Sequence, residues 1–272
     1  MYYLIYISII PVVLLLFYIY KKDVEVEPRG MLIKIFVFGC LSTIPIYFAE
    51  KLVGHFFPAD NLPTFIGTLV SVFVGIGLIE ELGKWIITYL TSYRNKEFNH
   101  PYDGIVYSVF ASLGFAAIEN LIYVVSNGIG TGIIRAILSV PSHAVDAVYM
   151  GFFLAASKKC LIDGKNNRSF IYLLLSILAP AITHTIYDGL LVYYQSSLGL
   201  IYFVLFLLFV IMTYIIAIIL INKASKDNYN FDGSMVLGKK EVVKKPVVKK
   251  YCPNCGYPLT NGDCPNCDYK DN

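Results

Sequence analysis

Long apolar runs separated by short polar breaks make up the chain as far as residue 222. Each run has close to or more than the roughly 20 residues that an α-helix needs to cross about 30 Å of hydrocarbon. The alternating segments of about ten residues that are typical of a membrane β-barrel do not occur. The pattern predicts seven membrane-spanning helices, at Tyr2–Tyr20, Leu32–Ala49, Thr64–Tyr89, Gly104–Val125, Gly132–Ala156, Phe170–Tyr194 and Gly199–Ile221. The predicted fold is therefore an all-α membrane protein, a bundle of about seven transmembrane helices.

Composition and charge distribution agree with a multi-pass protein of the cell membrane. The chain is 57% hydrophobic and only 15% charged, with a mean hydropathy of +0.63, whereas a soluble domain is about a quarter charged. Lys and Arg are found after the first, third, fifth and seventh spans and are missing from the segments 56–63, 126–131 and 195–198. Because cytoplasmic loops carry the excess of basic residues, we expect the N-terminus outside and the C-terminus in the cytoplasm.

Ionisable residues lie inside four of the predicted spans, where they are costly and usually functional. They are Glu80, Glu81 and Lys84 in the third span, Glu119 in the fourth, Arg135, His143 and Asp146 in the fifth, and His184 and Asp188 in the sixth. Spacings of three or four residues place the members of each group on one helix face. Any single pair could simply hold two helices together, but four spans with acids or histidines favour a chemical site. We expect Arg135, near the outer end of its span, to extend towards the interface or cap the helix.

Four motifs in this region resemble the PrsW family of intramembrane proteases, which is related to the CAAX prenyl protease superfamily. Glu80-Glu81-Leu82-Gly83-Lys84 is similar to the family's E-E-x-x-K, and Phe115-Ala116-Ala117-Ile118-Glu119-Asn120 is similar to F-x-x-x-E-N. His143 lies early in the fifth span, and His184-Thr185-Ile186-Tyr187-Asp188 is similar to H-x-x-x-D. The resemblance covers roughly residues 75–190.

The resemblance implies hydrolysis of peptide bonds in membrane-associated protein substrates. In a workable mechanism, Glu80 or Glu81 activates water as a general base. His143 or His184 stabilises the oxyanion or protonates the leaving amine, while Asp188 orients His184. Glu119 and Asn120 position water or the substrate backbone. The candidate catalytic residues are Glu80, Glu81, Glu119, His143, His184 and Asp188, and the supporting residues are Lys84, Phe115, Asn120 and Asp146.

The residues leave several alternatives open. Hydrolysis could be metal-free, or it could be assisted by a catalytic zinc ion held by Glu81, His143 and His184. A catalytically silent membrane scaffold or sensor, or an ion-coupled transporter, could also use intramembrane acids and histidines. We expect Glu81, Glu119, His143 and His184 to converge on a single polar cavity.

The C-terminal part predicts a small metal site after a basic linker. The transmembrane domain covers residues 1–222, with its motif core at about 64–195, and is followed by a Lys-rich linker, 223–250, and a zinc-ribbon-like module, 251–272. The linker is expected to be a solvated spacer that also contacts anionic lipid. Two C-P-N-C turns indicate a structural zinc knuckle with the ligands Cys252, Cys255, Cys264 and Cys267. The knuckle could bind a protein partner, and nucleic acid is not favoured because the knuckle itself is not very basic.

Overall fold

The computed structural model describes residues 2–57, 64–196, 199–236 and 267. Within these residues the chain is helical, with no β-strand and only an isolated antiparallel bridge between Tyr229 and Met235. The α-helices are α1 (Tyr2–Lys22), α2 (Arg29–Phe56), α3 (Phe65–Val72), α4 (Leu78–Thr88), α5 (Pro101–Asn127), α6 (Ile129–Ile137), α7 (Ser139–Ile162), α8 (Asn166–Ser196) and α9 (Gly199–Ser225).

Seven helical segments of the described chain are long and apolar enough to cross a membrane. They are Ile5–Lys22, Arg29–Phe56, Phe65–Tyr93, Pro101–Asn127, Ile129–Ile162, Asn166–Tyr194 and Gly199–Ser225. This confirms the predicted all-α membrane fold with seven spans.

Two of the spans are less regular than predicted. In the third span, π-helical turns at Phe73–Gly77 and Tyr89–Tyr93 flank α4, and such turns often occur next to functional sites. The fifth span is divided at Leu138 into the short helix α6 and the long helix α7. The Tyr214 hydroxyl of α9 donates a hydrogen bond to the Leu138 carbonyl at 3.0 Å, so a side chain stabilises the break.

Helix α5 lies at the centre of the bundle and contacts α1, α2, α4, α6, α7 and α9. Glycines permit its closest contacts. A Cβ added to Gly151 of α7 would lie 2.2 Å from the carbonyl oxygen of Gly104 in α5, and one added to Gly39 of α2 would lie 2.1 Å from that of Ala111. Helix backbones can approach this closely only where a residue has no side chain. The two contacts hold α2 and α7 directly against α5.

The loop between α1 and α2 places an acidic side chain inside the protein. Glu27 is buried, and the Tyr107 hydroxyl of α5 donates a hydrogen bond to its carboxylate. Burial raises the pKa of Glu27 from its ordinary value of 4.5 to about 8, and the neighbouring Asp23 acts in the same direction.

The segment after α9 differs from the predicted solvated spacer. Helix α9 continues to Ser225, and Phe231 beyond it is buried, with its ring 5.9 Å from that of Phe98. The Phe231 amide donates to the Asn99 carbonyl at 2.7 Å, and the Lys159 ammonium donates to the Phe231 carbonyl at 2.8 Å. The prediction of a spacer is therefore wrong for residues 223–236, because an aromatic side chain and backbone hydrogen bonds hold this segment on the bundle.

Gly151→Ala tests the contact between α5 and α7. The added methyl group would overlap the backbone of Gly104, so we expect the free energy of unfolding to fall by about 1–3 kcal/mol. The control is Gly54→Ala in α2, where an added Cβ meets nothing within 4 Å and helix propensity favours Ala. The free energy of unfolding is measured for both variants and the wild type in detergent. A Gly151→Ala variant as stable as the wild type would contradict the close approach of α5 and α7.

Glu27→Gln tests the buried carboxyl of the first loop. Because the folded-state pKa lies above 4.5, the stability that Glu27 contributes is present below pH 4.5 and is lost as the pH rises to about 8. We expect the variant to melt at a higher temperature than the wild type at pH 8 and near the wild-type temperature at pH 5. Exposed Asp163 provides the control, Asp163→Asn, because Lys159 and Lys165 lower its pKa and it does not titrate between pH 5 and pH 8. A wild-type pH profile in the Glu27 variant would contradict the assignment.

Candidate active site

An ammonium group between two carboxylates forms the centre of the candidate site. Lys84 of α4 is fully buried, and its Nζ lies 2.9 Å from Glu80 Oε2 and 2.7 Å from Glu81 Oε1. The helix provides both contacts, because residues three and four apart share a face. The ring of Phe115 in α5 lies 4.3 Å from the same Nζ. The ammonium thus balances carboxylate charge that would be very costly alone in an apolar interior.

His143 connects this centre to the second motif. Its Nδ1 lies 3.1 Å from Lys84 Nζ, and its Nε2 lies 2.9 Å from Glu119 Oε2. An ammonium can only donate, so Nδ1 accepts from Lys84 and Nε2–H donates to Glu119. One neutral tautomer of His143 therefore satisfies both contacts.

His184 of α8 lies on the other side of the carboxylates. Its Nδ1 is 3.0 Å from Glu81 Oε1, and its Nε2 is 3.2 Å from Asp188 Oδ2. Asp146 of α7 approaches Nδ1 at 3.6 Å and accepts a hydrogen bond from Thr183. The rings of His143 and His184 have centroids 5.4 Å apart. The structure thus brings together the acidic and histidine side chains of all four motifs.

Arg135 belongs to this network, contrary to the prediction that it reaches towards the interface or caps its helix. Its Nη2 donates to Glu119 Oε2 at 2.7 Å, and its Nε donates to Asn120 Oδ1 at 3.1 Å. The guanidinium lies 4.0 Å from the centre of the Tyr123 ring. The break at Leu138 explains the difference, because it ends α6 and lets Arg135 face α5. The sequence held one indication that Arg135 belongs to the site, because Arg135 lies only eight residues before His143 in the same predicted span.

Glu50 is a further acidic residue that the sequence reasoning missed. The predicted second span ended at Ala49, but α2 continues to Phe56 and carries Glu50 beside the cavity. Its Oε1 is buried and has no hydrogen-bond partner among the described residues, and the carboxyl interacts electrostatically with Glu80. The signal that could have found it was a single acid directly after an apolar run.

A cavity of about 720 Å³ opens beside these groups. Most of its wall is apolar, and aromatic and aliphatic side chains of α2, α5 and α8 surround a small charged area. The charged and histidine residues of the wall are Glu50, Glu80, Glu119, Arg135, His143, Asp146, His184 and Asp188. Glu81 does not line the cavity, because it lies behind Glu80 with no exposed surface. The predicted convergence on a single cavity is thus confirmed for Glu119, His143 and His184. The prediction that this cavity is polar is wrong, because most of its wall is apolar.

The chemistry of the donors suits a metal ion. Glu80, Glu81, His143 and His184 each offer one ligand atom, and these four atoms lie within 4.8 Å of one another. Carboxylates and imidazoles are the usual ligands of catalytic zinc. The Glu81 Oε2 atom is buried and has no hydrogen-bond partner among the described residues. Its lone pairs are therefore available to bind a metal ion. Glu80 extends the predicted set of three ligands to four.

The predicted zinc knuckle falls on a different part of the chain. Cys252, Cys255 and Cys264 lie outside the described residues, and Cys267 is an isolated described position. The knuckle, its partner and the lipid contact of the Lys-rich segment 237–250 therefore stay predictions.

Comparison with known proteins relates the site to a family. The family model described as "PrsW family intramembrane metalloprotease" matches residues 27–216. A "Protease PrsW" of Geobacillus kaustophilus is 40% identical over 192 residues, which cover 70% of this chain and 80% of that protein. The "Protease PrsW" of Oceanobacillus iheyensis is 35% identical over 221 residues, or 81% of this chain and 95% of that protein. No solved structure matches the chain significantly.

A double-mutant cycle tests the pairing of Arg135 with Glu119. Both side chains are mostly buried, with 14% and 16% of their surface exposed. Removing one partner of a buried pair leaves an uncompensated charge, so we expect Arg135→Met to lower the free energy of unfolding by about 3 kcal/mol. Glu119→Gln in the same chain should recover part of that loss. Exposed Arg94 supplies the control, Arg94→Met. Strictly additive losses would contradict the pair.

Proposed function

Because the chain belongs to the PrsW family of intramembrane metalloproteases, we propose that it hydrolyses peptide bonds of membrane-associated proteins in the cavity bounded by α2 and α4 to α8. One observation carries this assignment. Acidic and histidine side chains from four helices contact one another at the edge of an otherwise apolar cavity. An apolar pocket with a few convergent polar groups is the usual form of an active site.

In this proposal Glu80 is the general base. It is the member of the E-E pair that lines the cavity, so it can reach a water molecule placed there. Glu81 lies behind it and holds His184 through Nδ1 at 3.0 Å. Asp188 contacts the other ring nitrogen at 3.2 Å, and these two contacts fix the orientation of the ring. His184 then protonates the leaving amine of the cleaved bond.

His143 and its neighbours act on the opposite side of the scissile bond. Glu119 accepts from His143 Nε2–H, and Arg135 holds Glu119 in place. When substrate is bound, the Nε2–H of His143 would move from Glu119 to the substrate carbonyl and donate to the negative charge that develops there, while Arg135 would keep Glu119 paired. Asn120 is engaged by Arg135 and by the Ser8 carbonyl. Its role is therefore to position Arg135.

A metal-assisted form of the reaction uses the same residues. Three of the four residues Glu80, Glu81, His143 and His184 would hold the ion and leave its fourth position open, and the ion would supply polarisation of the peptide carbonyl and activation of water. Asp146 and Asp188 would orient His184, as carboxylates commonly do for metal-binding histidines.

We also propose the side of the membrane on which the site opens. The wall uses the second halves of α2, α5 and α8 and the beginning of α7. These parts all lie nearest to the segments at 57–64, 128 and 197–198, which contain no Lys or Arg. Glu50 precedes the end of α2 at Phe56 by about 9 Å along the helix axis. By the positive-inside rule, the cavity faces the outer side of the membrane.

Peptide mapping of protein termini in the host membrane fraction tests the function. We expect new termini with the wild-type chain and their loss with the Glu80→Gln, Glu81→Gln double variant, because removal of a general base lowers the rate by about 10²–10⁴-fold. The cleavage sites should lie in outer parts of membrane proteins. Glu25→Gln, at an exposed position, should give the wild-type map.

Melting temperatures would show whether the double variant is folded. Identical maps from folded wild-type and double-variant proteins would contradict a protease and would favour a membrane scaffold or sensor, or an ion-coupled transporter. Termini only on the cytoplasmic side would retain the protease but contradict the proposed orientation.

A further inference from the structure

The Lys84 ammonium contacts three of the four residues that could hold a metal ion. Its Nζ lies 2.9 Å from Glu80 Oε2, 2.7 Å from Glu81 Oε1 and 3.1 Å from His143 Nδ1. The fourth candidate, His184, contacts the same Glu81 Oε1 at 3.0 Å. The ammonium is therefore placed among the residues that could hold a metal ion.

A metal ion bound through His143 Nδ1 would exclude the ammonium from that atom. Zinc binds imidazole nitrogen and carboxylate oxygen at about 2.0–2.2 Å and uses their lone pairs. The lone pair of His143 Nδ1 accepts a hydrogen bond from the Lys84 ammonium, because Nε2–H donates to Glu119. A lone pair cannot serve both a proton donor and a metal ion. Two cations a few ångströms apart in an apolar interior also repel each other strongly.

The surroundings of Lys84 allow such an exchange. Its Nζ lies 4.3 Å from the centre of the Phe115 ring, and the side chain has no exposed surface. Glu50 and Asp146 both interact electrostatically with Lys84. A displaced ammonium would therefore remain near other carboxylates.

We infer that the Lys84 ammonium and a divalent metal ion are alternative occupants of one site formed by Glu80, Glu81, His143 and His184. Lys84 is then a positioning residue that holds the buried carboxylates in place and sets the affinity of the site for metal. The inference rests on the metal-assisted form of the proposed function. It concerns metal binding and stability, so it can be tested without a proteolysis assay.

Zinc binding to Lys84 variants of the full chain tests the competition. All four knuckle cysteines are changed to serine in every protein, so that their thiolates do not contribute. We expect Lys84→Met to bind Zn²⁺ at least tenfold more tightly than the parent, measured by competition with a chromophoric chelator. Lys51→Met, at an exposed position of α2, should bind as the parent does. Glu81→Gln added to Lys84→Met should abolish the gain.

Melting temperatures provide a second measurement. In chelator, Lys84→Met should melt below the parent, because Glu80 and Glu81 have lost their cation. Saturating Zn²⁺ should raise the melting temperature of this variant more than that of the parent. Lys84→Gln, whose neutral amide can still donate to one carboxylate, should show the same effects to a smaller extent if Lys84→Met does not fold in chelator.

The outcomes separate this inference from the proposed function. Equal zinc affinity and equal zinc-induced shifts in the parent and both Lys84 variants would overturn the competition and leave the metal site in place. No zinc binding in any of the proteins would overturn both the competition and the metal-assisted mechanism, while metal-free hydrolysis would still be decided by the mapping of termini.

Discussion

Lys84 has no exposed surface, and its ammonium contacts two carboxylates of its own helix and a histidine of α7. Charges in an apolar bundle are stable only when they are paired and hydrogen-bonded. Once Glu80, Glu81 and Lys84 lie inside the protein, the remaining acceptors and donors must come from neighbouring helices. His143 and His184 meet this requirement from α7 and α8. The charged residues of α4 are therefore stable inside the bundle because α7 and α8 lie beside them and provide these histidines.

The packing of the bundle makes these contacts possible. Gly104 and Gly151 allow α5 and α7 to approach through their backbones, and the Ser112 hydroxyl of α5 donates to the His143 carbonyl at 2.9 Å. The close approach keeps Glu119 of α5 within hydrogen-bond distance of the His143 ring. A small change in the distance between these two helices would break the link between the second and third motifs. The glycine contact between α5 and α7 thus also holds the residues of the site in place.

The sequence predicted the spans because long apolar runs identify the segments that cross a membrane. It predicted most of the charged cluster because the motifs indicate which acids and histidines belong to one site. It did not predict the partners of Arg135, because hydropathy does not report the direction in which a side chain points. At the break, the Tyr214 hydroxyl of α9 donates to the Leu138 carbonyl, a contact between residues far apart in the sequence. The docking of Phe231 was missed for the same reason, since a single aromatic residue in a polar stretch has no periodicity.

The contacts of the site form one continuous hydrogen-bonded network that runs from α6 to α8. Arg135 binds Glu119, Glu119 accepts from His143, and His143 accepts from Lys84. Glu81 continues the chain from Lys84 to His184. In such networks the effect of one substitution depends on the state of the others, so single losses do not add up to the contribution of the whole. The role of each residue must therefore be assigned from paired substitutions, and loss of Arg135 will affect Glu80, the proposed general base, through Glu119, His143 and Lys84.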